Sequence, residues 1–529
     1  MKILLEGSVI SNELLKSCSI PENFLTRSKN SQYKCDYVGY IRESDKEPIM
    51  IIPKIFSQSI IDEYCLGKTE AREWISDYCI KQYLTLKKYF GKFKSYTGNL
   101  PESTIFSSEV TYIDVALAVI DFYSKHKYLF VIDKQDRITK NPNNVKWNKM
   151  LNSMRYKIVN NTLIFEDFNS NLSKNSTDDF LIKLLNNEVF NISKLLNIKV
   201  NIEQDSTLDR VEYAKFIKNP LKNLKKLRKN YFRDDFVKLY KVLYSYYSVT
   251  GTNKTKGKCE FYLTNSFQLV FESMVDGLLS DEELVKEYKY NRDGKIIDHI
   301  FGFTDFIFGR KTIYIGDSKY YKDDTDIKHQ QWKQYTYARN VASYVILKEN
   351  ELNKNIRSVI FDKCFGGYNI IPNFFVSAEV DEIPYKKSKE IFWYNDLIEP
   401  NFSCHFENRI FDRDTFHVIY FKVNLLVLIN QYLYGWNKKE QGEIKVYIRD
   451  KFIDYFEKNY SFYQVEYSDE NRSFFENNIY LFQGKIFGRI EESIIIIGLE
   501  KGKSDDLIKK LEDCNIDFKE INIKRSASS

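Results

Sequence analysis

Apolar and polar residues alternate most clearly in two neighbouring stretches of the chain. SFQLVFESMVDGLL, from Ser266 to Leu279, spaces its apolar residues three and four apart, which predicts an amphipathic helix. Asp298 to Arg339 then reads as two apolar strand-like runs joined at Gly309-Arg310, with a polar helical pattern after them. Side chains alternate along a strand, so Phe301, Phe303, Asp305 and Ile307 share one face of the first run. Ile313, Ile315, Asp317 and Lys319 share one face of the second. A three-residue turn, Gly309-Arg310-Lys311, sets Phe303 opposite Asp317. Asp305 is then diagonal to Asp317, about 7–8 Å away at Cα. Two carboxylates and a lysine thus gather at one end of a hairpin. Asp298 and His299 open the first run, either as a further shell of this site or as a plain strand start.

The remaining pattern predicts a long α/β chain. Ile49 to Pro53 and Tyr128 to Ile132 read as buried strands, and Arg72 to Phe93 as a helix. Thr104 to Ser124 fits a helix or a strand, and the Asn/Ser/Lys-rich Asn169 to Asp179 reads as a loop. Val211 to Tyr247 is the most basic segment. Within it Lys222, Lys225, Lys226, Arg228 and Lys229 accompany Leu221, Leu224 and Leu227 at near-helical spacing. A solvated helix face is the plain reading of those charges, and contact with nucleic-acid phosphates is the sharper one. Further strands are expected near Val285 to Tyr290, Ser343 to Leu347, Ser358 to Phe361 and Asn369 to Val376, with a helix from Ile327 to Val341. Arg409, Asp412, Arg413 and Asp414 lead into a very apolar helix that ends near Trp436. Ser493 to Ile523 has a βαβ-like order. Four parts follow: 1–205 for recognition or partner binding, 206–259 as a basic connector, 260–436 as the chemical core, and 437–529 as a small extension.

Mg²⁺ prefers hard oxygen ligands and keeps several waters, so two or three carboxylates are enough to hold it, and Mn²⁺ can substitute. Asp305 and Asp317 are the expected ligands. Lys319 beside them would orient the attacking water or neutralise phosphoryl oxygens. This order resembles the PD-(D/E)XK nuclease superfamily. Asp305 matches its first acid, with Thr304 where the motif has proline, and Asp317 and Lys319 match acid-x-Lys. The resemblance implies that Glu272 is the upstream glutamate, a further metal ligand. It also implies that Gln331, Gln334 or Tyr335 serves from the later helix; Asp276 is the rival for the Glu272 role.

More narrowly, FESMVDGLL, IIDHIF, GDSKYY, KQYTYA and NRIFDRDTFH resemble LlaJI-type restriction endonucleases, relatives of the McrBC nuclease subunit. That likeness spans Asn265 to Tyr434. It implies an α/β fold with a restriction-endonuclease-like core, a mixed sheet flanked by helices, between an N-terminal α/β region and a small α/β extension. It further implies cleavage of double-stranded DNA in bacterial restriction or anti-phage defence, beside a separate McrB-like NTPase. This chain lacks a phosphate loop of its own. Five residues separate Gly251 from Gly257, and Cys259 stands where Ser or Thr is required.

Composition narrows the picture only a little. The net charge is +6, from 79 basic and 73 acidic residues, so any polyanion contact needs a local patch. Eight cysteines form no C-x-x-C pair, five histidines form no zinc spacing, and no apolar run reaches 18 residues. A reduced, cytoplasmic chain without a membrane span is expected, and nothing in the sequence excludes a homo-oligomer. Two alternatives remain: a stand-alone type II restriction endonuclease, and an inert nucleic-acid-binding adaptor.

Overall fold

The computed structural model describes residues 1–10, 24–27, 33–43, 46–97, 104–142, 145–153, 156–160, 162–201, 207–250, 259–290, 296–306, 311–321, 331–352, 371–380, 391–396, 398, 400–403, 407–410, 416–490, 494–503 and 506–523. Its fold is mixed α/β, with sheets that combine parallel and antiparallel pairs.

The N-terminal region is built on a five-stranded sheet. Its order is Lys2–Leu5, Ile49–Ile52, Val38–Glu43, Cys259–Thr264 and Thr104–Phe106, with only the first pair parallel. Ile49–Ile52 is buried along its whole length, which is why it reads as an unbroken apolar run. Cys259–Thr264 comes from the start of the expected core yet lies inside this sheet, so a boundary at 260 cuts through a sheet rather than a linker. Helix Thr69–Thr97 crosses the region, and Lys88 Nζ donates to the Tyr432 carbonyl 2.5 Å away. One continuous apolar core runs from Ile3 through Tyr83 and Phe271 to Tyr432 and Phe456.

The sheet that positions the site has the order His299–Thr304, Lys311–Lys319, Asn373–Glu379, Phe416–Asn424 and Phe392–Tyr394, with Asn401–Ser403 also on Phe416–Asn424. Its two central pairings are parallel and its outer ones antiparallel. Helix Phe267–Leu279 covers one face. Phe267, Val270, Phe271, Met274, Val275, Leu278 and Leu279 are buried, each worth about 1.5–3 kcal/mol relative to exposure. Gly316 precedes Asp317 because a Cβ there would lie 2.3 Å from the Phe374 ring. Glycine at this point is a demand of packing.

Several expected elements differ. Val285–Lys289 is a π-helical turn rather than a strand, and the Ser343 to Leu347 run lies inside helix Gln331–Leu352. The apolar stretch before Trp436 divides into strand Phe416–Asn424 and helix Leu425–Tyr434. Asn424 makes the break: its side-chain oxygen caps the amides of Leu426 and Val427. Thr104 to Ser124 resolves into strand Thr104–Phe106 and helix Tyr112–Lys125. Tyr128 to Ile132 is not a buried strand: Tyr128 and Ile132 are exposed, and Val131–Thr139 pairs with Phe168–Ser176 as a two-stranded ribbon. The polar stretch expected to be a loop is that partner strand. In the last part, Tyr460–Glu466 lies between Ile494–Glu500 and Phe518–Ile521, antiparallel to both. The βαβ-like order is therefore split by an inserted strand. Ser358 to Phe361, residues 411–415 and the glycine-containing 251–258 lie outside the described residues.

The basic segment forms helices Arg210–Ile217, Pro220–Leu227 and Asp234–Thr250. Leu224 packs inward, while Lys222, Lys225, Lys226 and Lys229 face solvent. Arg228 is half-buried and donates to the Tyr231 carbonyl at 2.7 Å. Among the described residues no helix is long and apolar enough to cross a membrane.

Candidate metal centre

The hairpin register decides which acid faces Asp317. Thr304 pairs with Lys311, Phe303 with Thr312 and His299 with Gly316. The connection therefore runs from 305 to 310, twice the expected turn length, and the expected Phe303–Asp317 pairing does not form. One step beyond His299–Gly316 places Asp298 across from Asp317. The Ser318 amide donates to Asp298 Oδ2 at 3.2 Å, which fixes that step.

Asp305 goes to the opposite end of the hairpin, about 20 Å from Asp317 at ~3.3 Å per residue. Its carbonyl accepts from Arg449 Nε at 2.7 Å. Asp305 therefore does not stand beside Asp317 as expected. Asp298 is the acid across from Asp317.

Asp317 and Lys319, two residues apart, share a face of their strand, and both are buried. Lys319 Nζ ion-pairs with Asp317 Oδ2, and Lys333 Nζ lies 3.7 Å from Oδ1. Lys333 comes from helix Gln331–Leu352, which covers this face through Tyr337 and Val341. Glu272 approaches from helix Phe267–Leu279. Burial and then the Asp317 charge push its carboxyl up to about 7, against the opposing pull of Lys333, Lys289 and Lys319. Asp298 is pushed further, to about 8, by burial, by the charges of Asp317 and Glu272 and by its hydrogen bond with Asp317. Three acids thus perturb one another. Burial opposes the charge of Lys333, but Asp298 and Asp317 outweigh it and raise its pKa.

Gln334 is 1% exposed, and neither atom of its amide has a hydrogen-bond partner among the described residues. A buried amide in that state costs free energy unless a further group reaches it. Tyr335 is half-buried with its ring edge-on to Phe416, and the Gln331 side chain lies outside the described residues.

The carboxylates suit a hard divalent ion in two respects: they offer oxygen ligands, and a cation would relieve their mutual repulsion. Among the described residues no three His, Cys, Asp or Glu side chains already stand at ligating distance.

Asp298 and Lys333 are the residues that sequence reasoning places least well. The acid within IIDHIF signals Asp298, but an assumed turn length sets the register. Lys333 opens KQYTYA, but nothing in that fragment singles out its lysine. No known protein family and no curated protein matches the chain in sequence.

Proposed function

We propose that this protein is a metal-dependent endonuclease that hydrolyses phosphodiester bonds of double-stranded DNA. The observation that carries this reading is Asp298 across from Asp317 at one end of the hairpin, with Lys319 ion-paired to Asp317 and Glu272 near enough for the Asp317 charge to act on it. Acid on one strand, acid-x-Lys on the next, a glutamate from a preceding helix and a glutamine from a following one form the PD-(D/E)XK pattern. Asp298 takes the first-acid position. A mixed sheet flanked by helices is consistent with that core.

In this reading Glu272, Asp298 and Asp317 hold Mg²⁺ or Mn²⁺. The ion supplies Lewis acidity at the phosphate and a nucleophile at neutral pH. Lys319, held in place by Asp317, presents its ammonium to the phosphoryl oxygens, where negative charge grows in the transition state. Lys333 adds positive charge from the half-exposed rim. Gln334 offers one donor and one acceptor to the scissile phosphate or the attacking water. The solvent-facing Lys222, Lys225, Lys226 and Lys229 suit contacts to the DNA backbone. A restriction or anti-phage role beside a separate McrB-like NTPase belongs to the same reading, through the LlaJI-type fragments.

Plasmid cleavage by purified protein with Mg²⁺, Mn²⁺ or EDTA, with and without such an NTPase, tests it. Metal-dependent cleavage that vanishes in Asp317→Ala and Lys319→Ala is expected. Cleavage retained in both variants would remove the assignment.

A further inference from the structure

A second polar network lies directly behind the carboxylates, on the opposite face of the sheet. His299 follows Asp298, and Ser318 stands between Asp317 and Lys319. Neighbours in a strand point to opposite faces, so both turn toward helix Phe267–Leu279. Asp276 sits on that helix one turn beyond Glu272.

These three meet. His299 is fully buried; its Nε2 lies 2.5 Å from Ser318 Oγ and its Nδ1 3.6 Å from Asp276 Oδ1. Lys289 Nζ pairs with Asp276 Oδ2 at 2.8 Å and donates to the Asp298 carbonyl at 2.7 Å. Ser280 Oγ donates to Asp276 Oδ1 at 2.5 Å and accepts from the Ile300 amide at 3.1 Å. Asp276 is thus joined through Lys289 and Ser280 to the strand of Asp298, and His299 stands between it and Ser318 on the strand of Asp317 and Lys319.

We infer that Asp276 and His299 are positioning residues of the metal centre, an inference that rests on the metal-dependent reading above. Carboxylates that repel one another hold a fixed spacing only when the elements carrying them are clamped. Charge-assisted hydrogen bonds inside a protein are strong enough to do this. Aspartate, histidine and serine in this order also make acyl-transfer triads. Here His299 has no exposed surface and Ser318 is packed beneath the helix, so no substrate can reach the hydroxyl. The network acts through the carboxylates rather than on a substrate.

Calorimetric titration of the full-length protein with Mn²⁺, alongside thermal melting without metal, tests the inference. His299→Phe removes both contacts and should weaken Mn²⁺ binding by about 10–100-fold, the usual cost of losing a partner behind a metal ligand. His299→Gln can keep the Ser318 contact and should recover most of the affinity. Ser318→Ala deletes a single hydroxyl and gives a weaker but readable loss should His299→Phe fail to fold. Variants that melt lower yet bind Mn²⁺ as the wild type does would make the network merely structural and overturn the inference. A wild-type protein that binds no Mn²⁺ would instead overturn the metal reading itself.

Discussion

Two buried acids in this chain, Glu188 and Asp317, sit in opposite surroundings. Glu188, on helix Phe180–Leu196, is 2% exposed, and its Oε1 accepts from Tyr213 at 2.6 Å and Tyr247 at 2.5 Å. Burial raises its pKa, and hydrogen bonds from Tyr213, Tyr247, Tyr246 and Asn191 pull against that rise. Those donors come from three helices, so the carboxyl stitches the N-terminal region together. The acids around Asp317 act on one another instead, with Lys319 and Lys333 beside Asp317. A buried acid surrounded by hydroxyls belongs to the architecture. Acids left facing acids repel one another, and the proposed cation would relieve that repulsion.

The sharpest way to break this contrast is to remove one acid at a time. Asp317→Ala and Asp298→Asn should each reduce metal-dependent cleavage by more than ~10²-fold, read as initial rates on plasmid. Asp305→Asn should stay within a few-fold of wild type. Equal losses from Asp298→Asn and Asp305→Asn would contradict the hairpin register as much as the site.

Stability should show the reverse order. Glu188→Ala removes the acceptor that three tyrosine hydroxyls share and should cost about 3 kcal/mol in denaturant unfolding, with Mn²⁺ affinity unchanged. Mn²⁺ at a hundred times its dissociation constant should stabilise the wild type by about 2.7 kcal/mol and Asp317→Ala hardly at all. Lost stability in Asp317→Ala without metal, on the scale of Glu188→Ala, would place both acids in the architectural class.

The pH dependence of the metal-free protein sharpens the contrast further. Asp298 and Glu272, at about 8 and about 7, lie above ordinary carboxyl values near ~4, so the fold keeps protons that the unfolded chain has released. The stability these groups lend is complete below about pH 4 and is lost as pH rises through their folded values. Melting should therefore fall between pH 6 and pH 8.5, and saturating Mn²⁺ should flatten the fall. A melting temperature that rises over that interval would contradict the assignment. The smallest effect belongs to the solvent-facing lysines. Lys225→Ala with Lys226→Ala should weaken DNA binding a few-fold and reduce its log–log salt slope by about 2, leaving melting unchanged.

Much of this is legible in the amino-acid pattern itself. The Phe267–Leu279 helix is readable because its apolar residues follow the helical period, and the Asp317 strand because it alternates. Asp317 and Lys319 then share a face by geometry alone. Strand register is not readable. Alternation says which residues share a face, but the partner across the sheet depends on a turn whose length leaves no apolar mark. That is why the pattern favours Asp305 over Asp298. Phe168–Ser176 escapes for a related reason: it belongs to a two-stranded ribbon with a lone bridge from Ser170 to Val145 on its other edge, so its sequence, FNSNLSKNS, needs no continuous apolar face. Ser343 to Leu347 misleads in the other direction, since a short β-like run is overridden inside the 22-residue helix Gln331–Leu352. The membership of Cys259–Thr264 in the N-terminal sheet rests on partners more than 150 residues away, which no local pattern encodes.

The most direct test of the central claim is anomalous diffraction from crystals of the full-length protein soaked in Mn²⁺. The account predicts a strong anomalous peak bounded by the carboxylates of Glu272, Asp298 and Asp317, lost in Asp317→Ala. No peak among those residues, or a peak at Asp305 instead, would contradict it.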